Sequence, residues 1–102
     1  MLEMKTGITN GTCLQGYFPE PTKYSDLVKA FGEPNAEGDH DKTDAEWTGI
    51  INGRVFSIYN YKDGKNYNGE AGQETEDITC WHIGGTNQRV VVDLIEYLEE
   101  RI

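Results

Sequence analysis

The sequence predicts an α+β domain in which a small antiparallel sheet of three to four strands packs against two helices, in the order β-α-β-β-β-α. Three observations predict it. Asn52-Gly53, a dipeptide suited to a type I′ turn, separates two strand-like runs, Ala45 to Ile51 and Arg54 to Tyr61. Two other segments repeat apolar residues at helical spacing: Tyr24, Leu27, Val28 and Phe31, then Val91, Leu94, Ile95, Leu98 and Ile102. A chain of 102 residues, 36% hydrophobic, makes residues 1–102 a single domain with no room for a second.

The elements follow in order. Thr12 to Phe18 reads as a first strand, ended by Pro19 and Pro21, because proline cannot continue a ladder. Thr22 can cap a short helix over Lys23 to Phe31, with Gly32 as its stop and Pro34 preventing continuation. Asn35 to Thr43 is a polar loop before the hairpin. In the second hairpin strand, Phe56 and Ile58 face one side while Val55, Ser57, Tyr59 and Tyr61 face the other. That mixed side is the better candidate for function, although Tyr59 could also cover a sheet edge. Asp63 to Asp77 is a long, acidic, Gly-rich loop without periodicity, of the kind that is usually functional or mobile. Ile78 to Ile83 is the last strand, with Trp81 and Ile83 toward the core and His82 on the opposite face. Gly84-Gly85 is then a turn, and Asn87 to Ile102 the final helix.

Eighteen acidic residues against nine basic ones give a formal charge of −9, which argues against general binding to nucleic-acid backbones or anionic membranes. The same acidity fits simple solubility, and Glu96, Glu99 and Glu100 do not gather enough charge on one face to favour nucleic-acid mimicry. Met1 to Thr9 carries no apolar run resembling a signal peptide, so a cytoplasmic location is expected, with Cys13 and Cys80 as free thiols. Asp39, His40, Asp41 and Asp44, with His82, could be imagined as metal ligands, but a solvated Gly-flanked turn explains the first four better. No Ser-His-Asp arrangement or lysine-bearing Walker loop is present, and Cys80 and His82 lack a recognisable third partner. Glu46 and Asp77 could act as an acid/base pair, as pairs in any acidic chain could. The expectation is a protein that is not an enzyme and carries no cofactor or metal.

What the sequence does offer is a binding constellation. Lys42, Tyr59, Asn60, Tyr61, Lys62, Lys65, Asn66, Tyr67, Trp81 and His82 supply flat faces, amide hydrogen bonds and positive charge, and Gly84-Gly85-Thr86 leads from a strand into a helix. Glycines let a ligand approach the backbone, and free N–H groups at a helix start attract anions, with Arg89 one turn inward. Each base stacked on such rings contributes on the order of 1–3 kcal/mol, and Asn60 or Asn66 could read a base edge. The set suits a small, planar, anionic ligand such as a nucleotide. Plainer roles stand beside it: Thr86 as a helix cap, Trp47 and Trp81 as core, and the lysines as partners of neighbouring carboxylates.

Several segments carry a resemblance: Leu14-Gln15-Gly16-Tyr17, Phe31-Gly32-Glu33-Pro34, Asp41-Lys42-Thr43-Asp44-Ala45-Glu46-Trp47, Ile58 to Tyr67, and Trp81-His82-Ile83-Gly84-Gly85. Together they resemble a group of small bacteriophage proteins over nearly the whole chain. The resemblance implies a phage-borne factor acting in the cytoplasm of the infected bacterial host, against host defence. In that context, the stacking rings, the phosphate-binding turn and the lack of catalytic groups make the expected function the sequestration of a nucleotide immune signal, such as a cyclic nucleotide, as a sponge. The rival expectation is an acidic inhibitor that binds a host defence protein directly, as an anti-CRISPR or anti-restriction protein would. A structural or regulatory phage domain without a ligand is the third. A sponge of this size would commonly enclose its ligand with a second subunit, through the last helix or an uncovered strand edge.

Overall fold

A computed structural model describes residues 1–36 and 42–102, so Asp39, His40 and Asp41 lie outside the described residues. Its elements are β1 (Leu2–Met4), β2 (Cys13–Tyr17), α1 (Tyr24–Phe31), β3 (Glu46–Ile51), β4 (Arg54–Tyr59), α2 (Lys65–Asn68), β5 (His82–Gly85) and α3 (Arg89–Glu99). Short 3₁₀ turns occupy Gly69–Ala71 and Thr75–Asp77. The fold is α+β, as the sequence predicts, with one fully antiparallel sheet in the order β1-β3-β4-β5-β2.

The hairpin sets the frame. Asn52 (φ 50°) and Gly53 (φ 83°) are both left-handed, as a type I′ turn requires, and β3 pairs with β4 from Ile51 opposite Arg54 to Glu46 opposite Tyr59. Alternation then gives each strand two distinct faces. One face holds Trp47, Phe56, Ile58 and Ile83, all buried, and is covered by Leu27 and Phe31 of α1 and by Val90, Leu94 and Leu98 of α3. Trp81, immediately before β5, joins this core beside Trp47, with ring centroids 5.6 Å apart in an edge-on arrangement. Both indole N–H groups are satisfied, Trp47 donating to the Gly32 carbonyl at 2.7 Å and Trp81 to the Ile78 carbonyl at 3.1 Å. Buried tryptophans of this kind are anchors of the fold.

The differences from the predicted elements are local. The sheet has five strands rather than three or four, because Leu2–Met4 pairs with β3 and is too short to show a pattern of its own. The last strand is displaced to His82–Gly85, so Gly84-Gly85 is a strand end and not a turn. Ile78 instead leaves a 3₁₀ turn and buries its side chain in the core. Lys23, not Thr22, is the cap of α1, with the Asp26 carboxylate accepting from the Lys23 N–H at 3.4 Å, while the Thr22 hydroxyl donates to the Pro19 carbonyl. On α3 the buried stripe is Val90, Leu94 and Leu98, with Val91 and Ile95 at its margin and Ile102 exposed. The Asp63 to Asp77 segment is organised: α2 forms within it, and Gln73 donates its backbone N–H to the Asp63 carbonyl at 3.0 Å.

Candidate functional site on the open face of the sheet

The face opposite the helices carries a cross-strand row. Glu46 on β3 stands opposite Tyr59 on β4, Tyr59 opposite His82 on β5, and His82 opposite Tyr17 on β2. The adjacent row is Thr48, Ser57, Gly84 and Leu14. Leu14 and Tyr17 are three residues apart and would ordinarily face opposite sides. An irregularity between Leu14 and Gly16 inserts one extra residue, Gln15, and brings both to the open face. Gln15 is tied down by its own side-chain N–H donating to the Gly85 carbonyl at 3.0 Å.

The rings make one surface. His82 stacks on Tyr59 at 5.3 Å with planes 26° apart, meets Tyr17 edge-on at 4.8 Å, and lies 5.9 Å from Tyr61. Leu14, Tyr17, Tyr59, Tyr61 and His82 line a cavity of about 320 Å³. A second of about 260 Å³ shares Leu14, Tyr59 and Tyr61 and adds Ser57, Gly84, Glu46, Thr12, Thr43 and Cys13. The two adjoin over the centre of the sheet, one just above and one just below the lower bound of the sizes that hold small ligands, roughly 300–1,000 Å³. Gly84 shapes the floor, because a Cβ there would lie 2.6 Å from the Ser57 hydroxyl.

Several groups here are held away from their ordinary protonation behaviour. Burial lowers the pKa of His82, which the Asp63 carboxylate partly counters, so the imidazole is neutral over a wider pH range than usual. Its Nδ1 is buried without a hydrogen-bond partner among the described residues. Burial raises the pKa of Glu46, and burial followed by the neighbouring Glu46 carboxylate raises that of Tyr59. Neither the half-buried Glu46 carboxylate nor the Ser57 hydroxyl, on a residue 5% exposed, has a hydrogen-bond partner among the described residues. Unpaired polar groups in a partly dry depression are what a complementary ligand would satisfy.

Of the residues named from the sequence, Tyr59, Tyr61, His82 and Gly84 meet in this depression. Lys62 is beside it, its ammonium 5.2 Å from the Tyr61 ring centroid and 5.3 Å from that of Tyr67. Lys42 is half-buried, and its carbonyl accepts from the Lys62 N–H at 2.7 Å. The others are engaged elsewhere. Trp81 is in the core. Asn60 is fully buried, accepting from the Asp44 and Ala45 N–H groups at 2.7 and 3.2 Å and donating to the Asp44 and Asp63 carboxylates at 3.0 and 2.9 Å, which leaves no amide group for a base. Asn66 donates to the Thr43 carbonyl at 2.8 Å. Lys65 is paired with Glu74 at 2.8 Å, and that bond raises its pKa. Gly85 is on the core side, where a Cβ would lie 2.8 Å from both the Val55 carbonyl and Val90. Thr86 donates its backbone N–H to Val55, and Gln88 rather than Thr86 precedes α3, so the passage presents no free helix start to a phosphate.

Leu14, Tyr17, Glu46 and Ser57 complete the site. Alternation along β4 already places Ser57 beside Tyr59, but Tyr17 is far from His82 in sequence and no local signal joins them. Among the described residues no group of three or more His, Cys, Asp or Glu side chains could hold a metal ion, and no helix is long and apolar enough to cross a membrane. No family model, curated protein or solved structure matches this chain.

Proposed function

We propose that this chain binds a small nucleotide on the open face of its sheet and acts by sequestering it, as a bacteriophage counter-defence protein withdrawing a nucleotide immune signal from its receptor. The observation that carries the reading is the aromatic row of Tyr17, His82 and Tyr59, flanked by Tyr61, which offers π-faces around a depression instead of filling a core. Every base has a π-face, so such a surface holds bases with energies of about 1–3 kcal/mol each. Lys62 beside Tyr61 supplies the positive charge for a phosphate, in place of Lys65 and the Gly84-Gly85-Thr86 passage. The counter-defence role rests on the phage-like segments, and the sponge reading on a site whose main offering is stacking.

Calorimetric titration against cyclic di- and trinucleotides tests it. Wild type should bind at least one, Tyr61→Ala should weaken that binding by about tenfold with little effect on folding, since Tyr61 is 42% exposed. Lys62→Ala should weaken it and flatten its salt dependence. Absence of binding across the panel overturns the reading.

One observation favours a second reading, a directly binding inhibitor of a host defence protein. Leu14, Tyr17 and Tyr61 are each about half exposed on one side of the sheet, and tyrosine-rich exposed surfaces suit protein contacts. Under that reading Tyr17→Ala and Leu14→Ser abolish capture of one host protein while no nucleotide binds.

A further inference from the structure

We propose that the base held on this face is guanine, read along its N1–H and 2-amino edge by the carboxylate of Glu46. The inference rests on the nucleotide-binding reading and names the ligand class.

Glu46 stands at one end of the aromatic row, directly opposite Tyr59, and lines the central cavity. Its carboxylate is half-buried and has no hydrogen-bond or ion-pair partner among the described residues. An ionised carboxylate is purely an acceptor, with two oxygens spaced to receive two parallel N–H donors. Among the common bases guanine presents two adjacent donors, N1–H and the 2-amino group, on its Watson–Crick edge. Adenine and cytosine each set a ring acceptor beside their amino group, and uracil offers one N–H between two carbonyls. Against any of these a carboxylate oxygen faces another lone pair, and a buried unmatched polar group rejects the wrong partner strongly.

Ser57 supplies the complementary half. It is the diagonal neighbour of Glu46 across the β3–β4 pair, nearly buried, and its unpartnered hydroxyl lies over the floor left open by Gly84. A hydroxyl donates as readily as it accepts, so it meets the O6 acceptor adjoining N1–H of the same base. The negative charge of Glu46 also repels phosphate, which orients the base and not the phosphate toward this end of the row. Burial raises the Glu46 pKa, a cost that two N–H donors from a bound base would offset.

The test is a matched titration of wild type, Glu46→Gln and Ser57→Ala with cyclic di-GMP and cyclic di-AMP, and with GMP and IMP, recording melting temperatures alongside. Wild type should prefer cyclic di-GMP over cyclic di-AMP, and GMP over IMP, which lacks the 2-amino group, by about tenfold or more. Glu46→Gln should lose most of the preference in both pairs without loss of thermal stability, and Ser57→Ala should weaken cyclic di-GMP, GMP and IMP, which share O6, while leaving cyclic di-AMP unchanged. Equal binding within both pairs, or an undiminished preference in Glu46→Gln, overturns the guanine assignment while nucleotide binding stands. Failure of wild type to bind any of the four overturns the guanine assignment, and the nucleotide reading falls with it only when the whole panel of cyclic di- and trinucleotides is also left unbound.

Discussion

Asn60 shows how far a single side chain's identity is from its role. Its amide makes four hydrogen bonds that tie Asp44 and Ala45 to Asp63, so it holds together two loops beside the depression instead of reading a ligand. Asn60→Ala would leave buried N–H groups unpaired and two carboxylates adjacent without a donor between them. A loss of about 2–4 kcal/mol is expected in denaturant titration. A variant as stable as wild type would show that these bonds are replaced by water. The sequence displays the amide but not its partners, because Asp44 and Asp63 reach it only when the hairpin closes. Glu46 is the opposite case, a residue common enough in an acidic chain to carry no signal, made distinctive by lacking a partner in a half-buried place.

At the scale of elements, periodicity is dependable and glycine is ambiguous. The hairpin turn, its two strands and both longer helices are legible because each pattern is contained in contiguous residues. Gly53→Val should cost about 1–2 kcal/mol, since φ of 83° is strained for a β-branched residue, and a lowered melting temperature checks it. Gly84-Gly85-Thr86 before a helix reads as a turn, yet these glycines are strand residues required by close approach. Gly85→Val forces a side chain against the Val55 carbonyl and Val90, so a loss of about 1–3 kcal/mol is expected, with any fall in ligand capture following from it. Equal stability to wild type would mean that β5 and α3 can part without penalty.

For the whole molecule, His82 and Glu46 on the open face contribute to the pH response of stability. His82 is harder to protonate when folded than its ordinary value of 6.5, so the unfolded chain takes up a proton first as pH falls. Its contribution is present above pH 6.5 and is lost as pH falls through the lowered folded value. Glu46 runs the other way: its raised folded pKa makes its contribution full below the ordinary carboxylate value and lost as pH rises through the folded one. The melting temperature of wild type should therefore drop below pH 6.5 more steeply than that of His82→Phe. At pH 7 Glu46→Gln should melt at or above wild type. Parallel pH profiles for His82→Phe and wild type would remove His82 from this account.

The sequence by itself determined the class of fold, the hairpin, the helices and the division of β4 into an apolar and a mixed face, because alternation and helical spacing are properties of neighbouring residues. It placed Trp81 and Ile83 on one side of the chain and His82 on the other for the same reason, and the structure has them so. Only the tertiary structure decided that β2 returns to the edge beside β5, that one extra residue there turns both Leu14 and Tyr17 outward, and that Tyr17, His82, Tyr59 and Glu46 fall into one row. It likewise withdrew Asn60 and Gly85 into the interior. Adjacency across strands follows from which distant segments pair and in which register, and that is fixed by burying the whole core at once, not by any stretch of residues read along the chain.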